Sequence, residues 1–313
     1  MIVTLSSESS RTVHAFAKIN LTLDVFSKRA DGYHSMASVM QAISLHDTLT
    51  VTRRDKPGIG FTCDAPAEAG IPADKTNLVY RAAQTALMAA EARGHSVQGG
   101  IDLHLVKRIP AQAGLGGGSS DAAAALLGID ALLHLALPSE ILHACAAELG
   151  SDVSFFLTGG TASARGRGEN LTALPDAPTC WLVVVKPEES VSTGWAYSQL
   201  DAIPERASHR ATGRLEQALR ADDRDRLLAF QSNDFELPVF THFPRIAWLH
   251  DELMMAGALA AHLCGSGAAV YGIAPDAATA RRVAERLQGR YPFVATARFL
   301  TRAESDPLEG KPL

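Results

Sequence analysis

A lysine and an asparagine stand two residues apart in Ala15-Phe16-Ala17-Lys18-Ile19-Asn20-Leu21. On a strand such a spacing puts both side chains on one face about 7 Å apart, so one ligand can meet Lys18 and Asn20 together; on chemistry alone a solvated strand face is the favoured reading. One carboxylate, Asp152, sits in Gly150-Ser151-Asp152-Val153-Ser154-Phe155-Phe156-Leu157, ahead of an apolar run. Burial disfavours the charge of a carboxylate and a neighbouring ammonium favours it, so a Lys18 close by would keep Asp152 able to accept a proton. The plainer alternative is a turn residue bonding local N–H groups.

The most informative stretch is Ile109-Pro110-Ala111-Gln112-Ala113-Gly114-Leu115-Gly116-Gly117-Gly118-Ser119-Ser120-Asp121, which leads into the Ala-rich segment 122–125. Four glycines in five positions allow positive φ and inward-pointing N–H groups, and a following helix start adds unpaired donors and the positive end of its dipole. That combination binds phosphate. A tight turn that merely packs the helix is the alternative. No lysine follows the last glycine, as a P-loop needs, and Ser119 stands where the dinucleotide fingerprint needs Gly or Ala. Protein-kinase H-R-D and D-F-G elements are absent from the chain. Asp31-Gly32-Tyr33-His34 is a turn signal followed by an aromatic and an imidazole, and Leu263-Cys264-Gly265-Ser266-Gly267-Ala268 is a second glycine turn entering a strand.

The elements that must carry these residues follow from periodicity. Alternation predicts a strand over 12–25, with Lys18, Asn20, Thr22 and Asp24 on its polar face. Strands are also expected over 47–53, 101–107, 181–186, 269–273 and 293–299. Helices are expected over 76–92 with Thr76 or Asn77 as cap, from 120 to about 135 capped by Ser119 or Ser120, and over 139–149, 211–219, 223–231, 244–256 and 277–288. The pattern predicts an α+β protein, and the Pro-containing stretch 173–179 marks a boundary between two domains, 1–177 and 178–305, with a polar tail over 306–313. With 313 residues the chain can bury a full core. A net charge of −5 argues against a general nucleic-acid binder, and 47% apolar residues argue against disorder. Four scattered cysteines suggest neither a zinc ribbon nor a disulfide framework, so a reducing compartment fits best. Without a signal segment or membrane-length apolar run, a cytoplasmic protein with no membrane partner is expected.

The string Pro110-Ala111-Gln112-Ala113-Gly114-Leu115-Gly116-Gly117-Gly118-Ser119-Ser120 resembles the central motif of the GHMP small-molecule kinases, and the resemblance extends over about 15–298. It implies the two-domain GHMP kinase fold: an N-terminal α/β domain like ribosomal protein S5 domain 2 and a C-terminal ferredoxin-like α+β domain. It also implies ATP and Mg²⁺, with those eleven residues around the ATP phosphates and Asn77 and Lys107 near the nucleoside. The last two could instead be a helix cap and a solvated strand-end lysine. By the same resemblance Lys18 lies beside the phosphate-accepting hydroxyl and Asp152 is the general base, although Ser154 replaces the family's usual proline. Asp31-Gly32-Tyr33-His34 is similar to an element of one branch, which phosphorylates the 2-hydroxyl of a cytidine-diphosphate-linked methylerythritol in non-mevalonate isoprenoid synthesis. There Tyr33 and Tyr197 would sandwich cytosine, His34 would bond its edge, and Asn20, Thr193, Gly265, Ser266 and Gly267 would complete the substrate site. No motif names a protein ligand for the metal. A GHMP kinase of another alcohol and a non-catalytic nucleotide sensor are the competing readings; a monomer or homodimer is expected.

Overall fold

The computed structural model describes residues 9–66, 70–203 and 210–308; the amino-terminal 1–8 and the expected tail from 309 onward lie outside them. The first half runs β1 (Ser10–Lys28), β2 (His34–Arg54), β3 (Gly58–Asp64), α1 (Leu78–Ala92), β4 (Gly100–Val106), α2 (Gly117–Leu133), α3 (Ser139–Leu149), α4 (Val153–Thr158), β5 (Thr161–Gly166) and β6 (Asn170–Ala173). The second runs β7 (Trp181–Lys186), α5 (Thr193–Asp201), α6 (Ala211–Arg220), α7 (Arg224–Ala229), β8 (Ser232–Asn233), α8 (Glu236–His242), α9 (Pro244–Met255), β9 (Ala260–Leu263), β10 (Val270–Ala274), α10 (Ala277–Leu287) and β11 (Phe293–Arg298). Among the described residues no helix is long and apolar enough to cross a membrane.

Two sheets result: a seven-stranded one in the order β3-β4-β2-β1-β8, with β5 and β6 attached through β2, and a four-stranded one in the order β11-β7-β10-β9. Neighbours in the smaller sheet are all antiparallel. β6 ends at Ala173 and β7 begins at Trp181, on either side of the Pro-containing stretch. The halves nevertheless interlock, because β8 of the second half pairs in parallel with β1 through Thr22–Ser232 and Leu23–Asn233.

The polar face of β1 is where the structure departs from the expected half-wet strand. Lys18, Asn20, Thr22 and Asp24 are all buried, because the second half lies over them. Buried polar groups need partners, and they find them in both halves. Thr22 and Thr212 share a hydroxyl–hydroxyl bond of 3.0 Å, the Thr212 N–H donates to Asp24 Oδ2 at 3.0 Å, and Asn20 Nδ2 donates to Ser38 Oγ at 2.8 Å. The Tyr271 hydroxyl donates to the Asn20 carbonyl at 3.2 Å. The apolar residues Ala17, Ile19 and Leu21 join Leu182, Val184 and Ile273 in one core cluster that spans both halves.

Helix α2 starts earlier than expected and is not capped by Ser119 or Ser120. Its N-cap is Gly116 at φ 72°, with no side-chain bond to the first N–H groups. Only glycine takes that left-handed conformation without steric cost. Ser120, one turn in, is buried and donates its hydroxyl to the Phe16 carbonyl at 2.6 Å. The run 122–125 is wholly buried, and alanine's small volume lets the helix lie close on the sheet. A Cβ at Gly128 would stand 2.8 Å from Val13 Cγ2 and 3.1 Å from Val51 Cγ2.

The chain end returns to the first half as a strap. Gln41 Nε2 donates to the Leu300 carbonyl at 2.8 Å, Ser305 Oγ accepts the Gly160 N–H at 2.7 Å, and Pro307, inside the expected polar tail, is buried. Arg302 is the knot: its guanidinium donates to the carbonyls of Thr158, Gly159, Thr161 and Leu174 at 3.0–3.3 Å. Replacing it by methionine keeps much of the side-chain volume and leaves four acceptors short of a donor. Arg302→Met should lower the unfolding free energy by about 2–4 kcal/mol, seen as an earlier urea midpoint; an unchanged midpoint would show that the strap is not structural.

Candidate active site

Two clefts flank the glycine-rich loop. One, of about 790 Å³, lies between the halves and is lined by Lys18, Asn20, Tyr33, His34, Asp152, Arg167, Thr193, Tyr197, Asp201, Gly265 and Ser266, among others. The other, of about 400 Å³, is lined by Asn77, Lys107, the segment 109–119 and Asp121. Gly114, Gly116 and Ser119 line both, so the loop is their shared wall. The loop has little room for side chains. A Cβ on Gly116 would meet Phe156 Cζ at 2.7 Å and Lys18 Cγ at 3.2 Å, and one on Gly117 would meet Ile109 Cγ2 at 2.9 Å.

On the interdomain side, β1 delivers Lys18 to this wall. Its ammonium donates to Asn20 Oδ1 at 2.7 Å and to the Gly114 carbonyl at 3.0 Å, and stands 3.8 Å from Asp152 Oδ2. Its side chain is 5% exposed against 38% for Asp152, so the carboxylate is the member of the pair that reaches solvent. Asp152 is the N-cap residue of α4 but makes no capping bond, which sets aside the local-turn alternative and leaves its oxygens to the cleft. Cys264, fully buried nearby, has its thiol pushed up to about 12 by burial against the opposing effect of Lys18, so it is no nucleophile at neutral pH.

At the far end of this cleft are the aromatic positions. His34, at the start of β2, donates from Nε2 to Asp201 Oδ1 at 2.7 Å and stacks on Tyr197, with ring centroids 4.9 Å apart and planes at 22°. Tyr197 is also edge-on to Phe235, and its hydroxyl is raised by burial and then by Asp152. Tyr33 is 57% exposed, with the Arg167 guanidinium 4.6 Å over its ring. Thr193 and Ser266, both from the second half, share a hydroxyl contact of 3.0 Å. Two residues expected at the ligands are engaged within the chain. The Gly267 N–H donates to the Cys264 carbonyl at 2.8 Å, and Ser120 is turned into the sheet.

In the second cleft Asn77 is both a cap and a lining residue: its Oδ1 accepts the Val79 N–H at 2.9 Å and its Nδ2 donates to the Pro72 carbonyl at 2.7 Å. Lys107 is not a solvated strand-end lysine. Its ammonium is buried between Asp47 and Asp121, at 2.7 Å from Asp121 Oδ2. Burial alone would depress its pKa, but Asp121 and Asp47 hold it above the ordinary value. One ammonium shared by two carboxylates leaves a surplus negative charge, and burial together with Asp47 pushes Asp121 above the ordinary carboxylate range despite Lys107. Asp121 Oδ1 has no hydrogen-bond partner among the described residues.

Asp47, Asp121, Arg167 and Asp201 carry these sites without having been singled out from sequence. Asp201 follows Tyr197 by four residues on α5, a spacing that shares a helix face. Arg167 sits between two glycines, the mark of a tight turn. For Asp47 and Asp121 nothing local distinguishes them; the pairing of β2 with β4 brings the first to Lys107, and α2 brings the second.

Residues 77–160 match the GHMP kinases N terminal domain, and 215–292 match the GHMP kinases C terminal domain. The chain is 44% identical over 294 residues to the 4-diphosphocytidyl-2-C-methyl-D-erythritol kinase of Moorella thermoacetica, covering 92% of this chain and 99% of that protein. It is 40% identical over 289 residues to the protein of the same name from Geobacter sulfurreducens, again covering 92% and 99%. A crystal structure of 4-(cytidine 5'-diphospho)-2C-methyl-D-erythritol kinase superposes with a TM-score of 0.76 at 34% identity, over 92% of this chain and 98% of that one. The homoserine kinase from Cytophaga hutchinsonii shares the fold, with a TM-score of 0.73 at 20% identity over 96% and 98%.

The buried trio carries a pH signature. An acid whose folded pKa is raised binds a proton in the native state that the unfolded chain has already released, so its contribution to stability falls as pH rises above about 4. Asp121→Asn removes that contribution. Urea midpoints should therefore shift in favour of Asp121→Asn relative to the intact protein between pH 5 and pH 8; a difference independent of pH would show that Asp121 is ionised throughout.

Proposed function

The chain belongs to the 4-diphosphocytidyl-2-C-methyl-D-erythritol kinase family of GHMP kinases and is an ATP-dependent small-molecule kinase, and from that membership we propose that it transfers the γ-phosphoryl group of ATP to the 2-hydroxyl of 4-diphosphocytidyl-2-C-methyl-D-erythritol. The products are ADP and the 2-phosphate, a step of non-mevalonate isoprenoid precursor synthesis. The observation that supports this most is the meeting of two clefts at Gly114, Gly116 and Ser119, with Lys18 and Asp152 on the acceptor side of the wall.

The nucleotide occupies the 400 Å³ cleft, with its phosphates at the uncapped start of α2, where free N–H groups and the helix dipole favour negative charge. The acceptor enters the interdomain cleft. Its cytosine is placed by Tyr33, His34 and Tyr197, stacking of this kind being worth about 1–3 kcal/mol per base, and its alcohol end reaches Asp152. Asp152 takes the proton of the 2-hydroxyl as that oxygen bonds to the γ-phosphorus and the bond from phosphorus to the ADP oxygen breaks. Lys18, already held by Asn20 and the Gly114 carbonyl, orients the hydroxyl and offsets charge on the moving group without having to reorganise.

Mg²⁺ fits this site as a companion of the phosphates and not as a resident of the chain. No group of three or more His, Cys, Asp or Glu among the described residues is placed to hold a metal, and Mg²⁺ commonly takes most of its ligands from phosphates and water. Ser119, which lines both clefts, is the hydroxyl suited to meet it. When bound, the ion supplies positive charge to the phosphate oxygens.

The test is ADP release with ATP, Mg²⁺ and 4-diphosphocytidyl-2-C-methyl-D-erythritol. Turnover should fall by about a hundredfold or more in Asp152→Asn, with ATP affinity retained. No turnover by an intact protein that binds ATP would overturn the substrate, and undiminished turnover in Asp152→Asn would remove the base.

A further inference from the structure

The interdomain cleft holds a cation whose role nothing above assigns. Arg167 occupies the tip of the turn from β5 to β6, between Gly166 at φ 76° and Gly168 at φ 112°. The turn is built: the Arg167 N–H donates to Glu169 Oε2 at 2.5 Å and the Gly168 N–H to the Arg165 carbonyl at 3.1 Å. One end of this unit reaches the aromatic rim, where the guanidinium lies 4.6 Å over Tyr33. Its other end backs onto the proposed base, since a Cβ on Gly168 would lie 3.9 Å from Ser151 Cβ and 4.0 Å from Asp152 Oδ1. The other cations lining the cleft each stand beside a carboxylate, Lys18 by Asp152 and Lys28 by Asp201, both at 3.8 Å. Arg167 makes no ion pair among the described residues and is exposed to the cleft.

We propose that Arg167 binds the diphosphate bridge of the acceptor and so selects a nucleoside-diphosphate-linked alcohol over an unlinked one. The inference rests on the acceptor assignment above. In such a substrate the diphosphate lies between base and alcohol; with the base at Tyr33 and the alcohol at Asp152, it lies along the stretch that Arg167 spans. A guanidinium offers a planar fork of donors that matches two phosphoryl oxygens at once. In the free protein that fork rests on an aromatic face, an attraction that is weak at an exposed site. The doubly charged bridge draws it off the ring, and the vacated face of Tyr33 becomes available to the base.

Calorimetric affinities for cytidine, CMP and CDP, with the KM of both substrates, test this in the intact protein, Arg167→Gln and Arg167→Lys. The intact protein should bind CDP more tightly than cytidine. In Arg167→Gln that increment should shrink about tenfold or more while cytidine affinity is kept, and the KM for the acceptor should rise by a similar factor with the KM for ATP unchanged. Arg167→Lys, which keeps the charge but loses the fork, should restore part of the loss. An undiminished preference for CDP in Arg167→Gln would overturn the role of Arg167 alone. An intact protein that binds neither cytidine nor CDP would overturn the acceptor assignment, and this inference with it.

Discussion

The site depends on two loops, one from each half, running against each other with no room for a side chain. A Cβ on Gly114 would collide with the Cys264 carbonyl oxygen, and one on Gly265 would lie 3.1 Å from the Gly114 carbonyl oxygen. The backbones are also bonded, the Ala269 N–H to the Ala113 carbonyl at 3.3 Å and the Ala268 N–H to the Gln112 carbonyl at 3.4 Å. Gly114 stands at φ 76°, so both its conformation and its surroundings require glycine. Because this contact joins the halves at the wall between the clefts, the relative position of the halves and the position of the loop are one constraint.

Lys18 extends that constraint into the electrostatics. Its bond to the Gly114 carbonyl ties β1 to the loop, and its bond to Asn20, itself bonded to Ser38, carries the tie into β2. An ammonium held by two hydrogen bonds has little freedom left to lose on meeting a ligand, and its burial keeps water from screening it. Packing of the second half over β1 is thus what converts an ordinary alternating strand into a buried, polar wall of the interdomain cleft.

The glycine-rich loop was legible in sequence from its glycine spacing, whereas Lys18 with Asn20 and Asp152 were singled out by the resemblance, their types and spacing alone leaving a solvated strand face and a local turn open. The α+β layering and most helices were legible from local periodicity. What escaped depends on tertiary cover. Nothing in the alternation over 12–25 shows that its polar face is buried, since the residues that cover it, such as Thr212, lie in another half of the chain. A solvated strand-end lysine stayed open for Lys107 because Asp47 and Asp121 come to it from two other elements. The short α4 and α5 were hidden by length, too few turns to show a period, and β8 by having only two residues. The start of α2 was misplaced because serine is the commoner cap, whereas the chain uses a left-handed glycine.

That glycine has an evolutionary consequence. A helix start as deeply placed as that of α2 would ordinarily be completed by a side chain that satisfies its first N–H groups, a gain of about 1 kcal/mol. Here the cap carries none. A capping side chain there would meet Phe156 and Lys18 and strain a left-handed backbone, and a carboxylate would repel a phosphate as well. Stability and an open phosphate site therefore ask for the same residue at position 116, and a search for more heat-resistant variants has nothing to gain by letting this position change.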